Sequence, residues 1–159
     1  MEEPQVLLLK RIRVLVVEDD KKTRRLYYLG IKNNMIFKRR SCTDGKEALA
    51  IYGHWKPDII ILDIMMPDMT GYELLKHIRE HWGDRDTTII MATAMSDVNT
   101  ITDCLKLGIQ GYIVKPFDYK EIAGKIIEYF QAADPIRANL AHQYLDNQES
   151  TSEPASGST

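Results

Sequence analysis

Asp58-Ile59-Ile60-Ile61-Leu62-Asp63-Ile64-Met65-Met66-Pro67 is the stretch whose reading decides the fold. From Asp58 to Leu62 the chain is mostly apolar and β-branched, and it then presents a carboxylate at Asp63. Pro67, Asp68, Thr70 and Gly71 continue as turn chemistry. An unbroken apolar run of this length fits a strand covered on both faces, which parallel sheets produce. Asp63 then sits where the strand stops, at the carboxyl edge of the sheet, where open α/β folds hold their ligands. Two roles are open to it at this point: a reactive or metal-binding carboxylate, or a loop aspartate capping the next helix.

The pattern repeats on both sides of that strand. Ile12 to Val17 is an apolar β run ending in Glu18-Asp19-Asp20, followed by a helix from Lys21 to about Asn33 with Leu26, Leu29 and Gly30 on one face. Met35 to Cys42 is a more polar strand, suited to a sheet edge. Thr43-Asp44-Gly45 opens a helix through Ala48, Leu49, Ile51 and Tyr52, closed by Gly53. Leu74, Leu75, Ile78 and Trp82 place a helix over Gly71 to Trp82. Thr87 to Ala92 is a fourth strand, Ser96 and Asp97 start a helix carrying Val98, Ile101 and Leu105, and Gly108 ends it. Gly111 to Val114 is a fifth strand, and Asp118 caps a helix with Ile122, Ile126, Ile127 and Phe130.

Five strand-then-helix units imply a parallel sheet with right-handed crossovers. Eight would be needed for a barrel. The fold class that fits is α/β: a doubly wound, flavodoxin-like five-stranded sheet of order 2-1-3-4-5 with helices on both faces. Residues 1–10 read as an extension and 11–131 as the domain. Asp134-Pro135 starts a possible extra helix over 132–146 with a stripe of Ile136, Leu140 and Tyr144. Residues 147–159, almost without apolar side chains, read as a disordered tail.

At 159 residues with 44% hydrophobic content, one domain with a proper core is expected. A net charge of −2 and a pI near 6.1 give no basic field for direct nucleic acid binding. Cys42 and Cys104 form no metal or redox motif and suit a reduced, cytoplasmic setting. Val6 to Leu9 is too short for a signal-peptide core, and no segment reaches membrane-spanning length.

Four strand ends carry chemistry: Glu18 and Asp19, then Asp63, Thr93 and Lys115. In order 2-1-3-4-5 the first and third strands are neighbours, about 5 Å apart, so Glu18, Asp19 and Asp63 crowd one pocket. Three such carboxylates repel unless something positive offsets them. A hard divalent cation with oxygen ligands does so, Mg2+ being usual where phosphate is bound. Lys115 adds a second positive charge and Thr93 a hydroxyl. That set suits phosphoryl transfer, with Asp63 as nucleophile and the cation and Lys115 stabilising the equatorial oxygens. Alone, Lys115 reads as a solvated lysine and Thr93 as a β-branched strand residue; at consecutive strand ends the shared role is the better account.

From about Ile12 to Phe130 the chain resembles the receiver domain of two-component response regulators. The resemblance rests on Val-Leu-Val-Val-Glu18-Asp19-Asp20, Ile-Leu-Asp63-Ile-Met-Met-Pro67-Asp-Met-Thr-Gly71, Thr93-Ala94 and Gly111-Tyr112-Ile-Val-Lys115-Pro116-Phe117. Asp63 lies 44 residues after Asp19, and Thr93 and Lys115 lie 30 and 52 after Asp63, spacings that agree with the family. The resemblance implies that Asp63 accepts a phosphoryl group from a histidine kinase or histidine-phosphotransfer protein, switching a face that binds a downstream protein target. It implies direct Mg2+ ligation by Asp19, Asp63 and the Met65 carbonyl, with Glu18 acting through water. Thr93 and Lys115 would grip the phosphoryl group, Tyr112 would be the switch aromatic, Ala94 would keep access to Asp63 open, and Lys115-Pro116 would be a cis peptide. Met65 and Met95 would, by the same resemblance, occupy positions that in the family tune acyl phosphate lifetime. Such a domain catalyses only its own phosphorylation and dephosphorylation. The stretch after Phe130 is too short for a DNA-binding or catalytic output domain, so the chain is expected either to act through protein contact or to be part of a larger regulator.

His77 and His81, four apart, read as solvated helix residues lacking a third ligand. The basic groups Lys38-Arg39-Arg40 and Lys21/Lys22/Arg24/Arg25 read as solvated faces, the second also as a docking surface for the phosphodonor. A relay passing phosphate onward to another histidine is the alternative within the family. A Mg2+-dependent phosphohydrolase with an aspartate nucleophile is the rival class; it would want an acid where Met65 stands.

Overall fold

The computed structural model describes residues 10–94 and 98–152. Five strands, β1 (Ile12–Val17), β2 (Phe37–Cys42), β3 (Ile59–Asp63), β4 (Thr88–Ala94) and β5 (Gly111–Lys115), form one sheet in the order β2-β1-β3-β4-β5. Every pairing is parallel. Between and after them come α1 (Lys21–Gly30), α2 (Gly45–Trp55), α3 (Gly71–Lys76), α4 (Val98–Lys106), α5 (Tyr119–Phe130) and α6 (Pro135–Ser152). This is the doubly wound, flavodoxin-like sheet expected from the strand pattern.

The unbroken apolar run of β3 has a direct cause in the sheet's two-residue period. Ile59 and Ile61 enter a core shared with Tyr27, Ile31, Ile122, Ile126 and Phe130, under α1 and α5. Ile60 and Leu62 enter the opposite core with Ala48, Trp55, Leu74, Ile78 and Cys104, under α2, α3 and α4. Helix starts are set by short polar side chains. Asp20 accepts from Thr23 N at 2.9 Å, Asp44 from Glu47 N at 2.8 Å, and Asp118 from Lys120 N at 2.9 Å. Thr70 and Glu73 form a reciprocal capping box on α3.

Several elements depart from the sequence expectation. Helix α1 stops at Gly30, because Asn33 and Asn34 instead accept hydrogen bonds from Arg39 N and from Ile36 N and Phe37 N at the start of β2. Its buried anchor is Tyr27, joined by Ile31 just past its end, rather than Leu26 and Leu29. Helix α2 continues past Gly53 to Trp55, where Lys56 takes the left-handed conformation at φ 52°. After Lys76 the third helix widens into a π turn, His77–His81, which sinks Arg79 into the protein. The Arg79 guanidinium donates to the carbonyls of Asp84 (2.9 Å), Thr87 (2.8 Å) and Gly108 (2.9 Å). Ser96 and Asp97, expected to open α4, lie outside the described residues.

The C-terminal helix also differs. It runs to Ser152 rather than 146, so residues 147–152 are helical and not disordered. The hydroxyls of Ser150, Thr151 and Ser152 bond back to carbonyls three or four residues earlier, and extending an existing helix is far easier than starting one. The buried positions are Ala138 and Ala141, while Ile136 is 68% exposed. Arg137 determines that rotation: it pairs with Asp58 at 2.9 Å and Asp134 at 2.7 Å, pinning α6 beside the start of β3. Among the described residues no helix is long and apolar enough to cross a membrane.

Candidate functional site

The carboxyl ends of β1, β3 and β5 meet at one point. Asp63, the last residue of β3, is 4% exposed, and Glu18, the first residue after β1, is 1% exposed. The Lys115 ammonium, closing β5, lies 2.8 Å from Glu18 Oε2 and 3.1 Å from Asp63 Oδ1. Asp19 stands at the exposed rim, and one oxygen from each of Glu18, Asp19 and Asp63 falls within 4.8 Å of the others. Among the described residues this is the only place where three such donors converge.

The backbone around these groups is tightly held. Asp20 N donates to Glu18 Oε1 at 3.2 Å, and Arg24 donates to the carbonyls of Glu18 (2.9 Å) and Asp19 (2.7 Å). Arg24 is therefore a brace for the β1–α1 loop, not a member of a solvated face. Gly71 N donates to Ile64 O at 3.0 Å, and an alanine Cβ at 71 would fall 2.1 Å from the Asp63 carbonyl oxygen. Only glycine lets α3 begin so close to the end of β3. Met65 N donates to Asp63 Oδ1 at 3.3 Å, and the Lys115–Pro116 bond is cis.

Burial pushes the Glu18 carboxyl up to about 7; its hydrogen bond with Lys115 opposes this, and the neighbouring Asp63 charge adds to it. Burial works against the Lys115 ammonium, but its bonds to Glu18 and Asp63 outweigh that and raise its pKa. Two negative groups, a rim aspartate and one shared cation make a hard-oxygen cup, the donor set that a small divalent cation prefers.

The remaining residues singled out in the sequence fall as follows. Thr93 lies within β4 rather than after it, buried, and its hydroxyl donates to the Ala94 carbonyl at 3.0 Å. Ala94 ends that strand, exposed. Met65 is 75% exposed beside Asp63, and Met95 lies outside the described residues. Tyr112 is 44% exposed on β5, its carbonyl accepting from Tyr129 Oη at 3.2 Å. The rings of His77 and His81 lie 4.5 Å apart, with no third ligand beside them among the described residues. Arg39 and Arg40 lie over the rings of Tyr28 and Trp55. Tyr27, buried in α1 and electrostatically linked to Glu18 and Asp63, was not legible in sequence, where a tyrosine in an amphipathic helix reads as ordinary core.

Residues 14–127 match the family model of the response regulator receiver domain. The chain is 40% identical over 115 residues to a Guillardia theta protein named "Probable transcriptional regulator ycf27", covering 72% of this chain and 43% of that one. It is 34% identical over 138 residues to "Probable C4-dicarboxylate response regulator DctR" of Halalkalibacterium halodurans, covering 85% and 59%. The chain thus spans about half the length of the curated relatives it matches. Among solved structures, chemotaxis protein CheY4 of Vibrio cholerae superposes with a TM-score of 0.69 at 28% identity, covering 76% of this chain and 99% of that one. The receiver domain of Francisella response regulator 1452 does so with a TM-score of 0.68 at 29% identity, covering 78% and 100%. A family match over most of the chain joins the sheet order and the acidic cup in one conclusion: this chain belongs to the response regulator receiver domains of two-component signalling.

Proposed function

We propose that Asp63 is a phosphoacceptor. A carboxylate oxygen of Asp63 attacks the phosphorus of a phosphohistidine on a histidine kinase or histidine-phosphotransfer protein. The P–N bond breaks as the P–O bond forms, the histidine nitrogen keeps the electron pair, and an acyl phosphate results. Carrying this reading is the Lys115 ammonium, held 3.1 Å from Asp63 Oδ1, where it can meet the charge of the incoming oxygens. Asp19, Asp63 and the Met65 carbonyl would hold Mg2+, with Glu18 reaching it through water. When bound, Mg2+ supplies the charge neutralisation that lets an anionic nucleophile approach an anionic phosphoryl group.

The response would pass through Thr93 and Tyr112 to the face formed by α4, β5 and α5. Tyr112, Val114 and Leu105 already stand exposed there, as a protein-contact surface requires. The test is incubation with acetyl phosphate and Mg2+ followed by intact mass. Wild-type chain should gain one phosphoryl group and Asp63→Asn none; equal labelling of both would refute the assignment. Sustained phosphate release from a generic phosphomonoester would favour a hydrolase instead.

A further inference from the structure

His77-Ile78-Arg79-Glu80-His81 sets two imidazoles four residues apart, with a carboxylate directly before the second. That is the ligand spacing of helical zinc sites, in which both histidines reach one ion from the same helix face. Two histidines on an exposed helix are ordinarily no more than solvated side chains; here the fold does more with them. The segment is a π turn, closed by Trp82 N donating to His77 O at 3.0 Å, and π turns concentrate at functional sites. Within it the two rings lie 4.5 Å apart, tilted by 34°. Trp82 meets the His77 ring edge-on at 5.0 Å and itself stacks on Tyr52 at 4.7 Å, which braces the first imidazole.

The surroundings suit a cation. Neither imidazole has a hydrogen-bond partner among the described residues, so the ring nitrogens are free to ligate. The pair lines an open cleft with Glu73, Lys76 and Glu80. Glu73 Oε2 is taken by the Thr70 N–H at 3.1 Å, whereas Glu80 is exposed and bonded to nothing among the described residues. The two carboxylates outweigh the Lys76 ammonium, so the cleft is net negative when the imidazoles are neutral. Imidazole nitrogen suits Zn2+, Cu2+ and Ni2+, not the Mg2+ that a hard-oxygen cup selects. We propose that His77 and His81 together bind a divalent transition ion of the Zn2+ class, with Glu80 accepting from a metal-bound water and further water filling the remaining positions. The turn lies at the end of α3 away from Gly71, so this site is separate from the Asp63 cup. An ion joining residues 77 and 81 also staples the turn that buries Arg79 against the Gly108 carbonyl.

Zn2+ is the probe, titrated calorimetrically into the full chain with excess Mg2+ present to occupy the acidic cup. One Zn2+ should bind per chain. His77→Ala and His81→Ala should each abolish binding at concentrations that saturate wild type, because each removes one of two protein donors. Both variants should keep the wild-type urea midpoint without metal, which separates a lost ligand from a lost fold. Glu80→Gln should weaken binding by about 10- to 100-fold, as loss of an outer partner does. His142→Ala, a change in a histidine on α6, should leave it unaltered. No saturable Zn2+ binding in the presence of Mg2+ would overturn the proposal. Binding that survives either His77→Ala or His81→Ala would do the same, as would an equal loss in His142→Ala.

Discussion

Replacing Gly71 by alanine tests how the site is built. On the present backbone the new Cβ would lie 2.1 Å from the Asp63 carbonyl oxygen, 2.8 Å from its carbon and 3.1 Å from Ile64 Cα. Real Cβ contacts do not fall below 3.0 Å, so the start of α3 and the end of β3 must separate by about 0.9 Å. None of the three atoms belongs to a flexible side chain, and the movement also strains the Gly71 N–H bond to Ile64 O. Overpacking of this kind costs roughly 1–3 kcal/mol, and rigid backbone neighbours favour the upper end. The displaced element carries Asp63, and a shift near 1 Å in a reacting group lowers a rate by about 100-fold. Gly71→Ala should therefore lose stability in urea unfolding and label about 100-fold more slowly with acetyl phosphate, followed by intact mass. Gly124→Ala, where an added Cβ meets nothing within 4 Å in the middle of α5, is the control and should gain about 0.5–1 kcal/mol. Wild-type stability and labelling rate in Gly71→Ala would refute the claim that this close approach positions Asp63.

Because Glu18 is held near 7 against an ordinary 4.5, its stabilising contribution is full below about pH 4.5 and is lost as pH rises through 7. Lys115 is shifted upward and so stays charged across this window. Relative to Glu18→Gln, metal-free wild type should lose up to about 3 kcal/mol between pH 4.5 and 7, measured by urea unfolding. Mg2+ affinity should rise over the same range, by at most about tenfold per unit, and level off above it; a pH-independent difference between the two proteins would contradict the assignment. Arg137→Ala removes the pairs with Asp58 and Asp134 and should cost about 2 kcal/mol, with hydrogen-exchange protection lost first across residues 135–152.

Much of the fold was legible because local rules and global arrangement agree. Strand β3 reads as a two-sided buried strand because Ile59 and Ile61 face one core while Ile60 and Leu62 face the other. Asp44 and Asp118 announce their helices because an N-cap is a matter of three or four consecutive residues, whereas Thr70, read as turn chemistry, caps α3. The misreadings occurred where a distant contact outranked the local signal. Asn33 and Asn34 looked like a helix end but serve the start of β2. Arg24 looked solvated but holds two loop carbonyls. Ile136 looked like core, yet the ion pair between Arg137 and Asp58, 79 residues apart, rotates it outward.

The acidic run after β1, the aspartate after β3 and the lysine after β5 are written in the sequence, together with the periodicity that makes their strands parallel neighbours. Periodicity is a local property, and it is enough to bring Glu18, Asp19, Asp63 and Lys115 to one edge. Only the tertiary structure decided that Lys115 divides itself between Glu18 and Asp63, that Arg79 is buried in a π turn, and that the Tyr27 hydroxyl lies in the core without a partner among the described residues. Those outcomes depend on distances between side chains far apart in the chain, and on which polar atoms packing leaves unsatisfied, neither of which any stretch of residues encodes on its own.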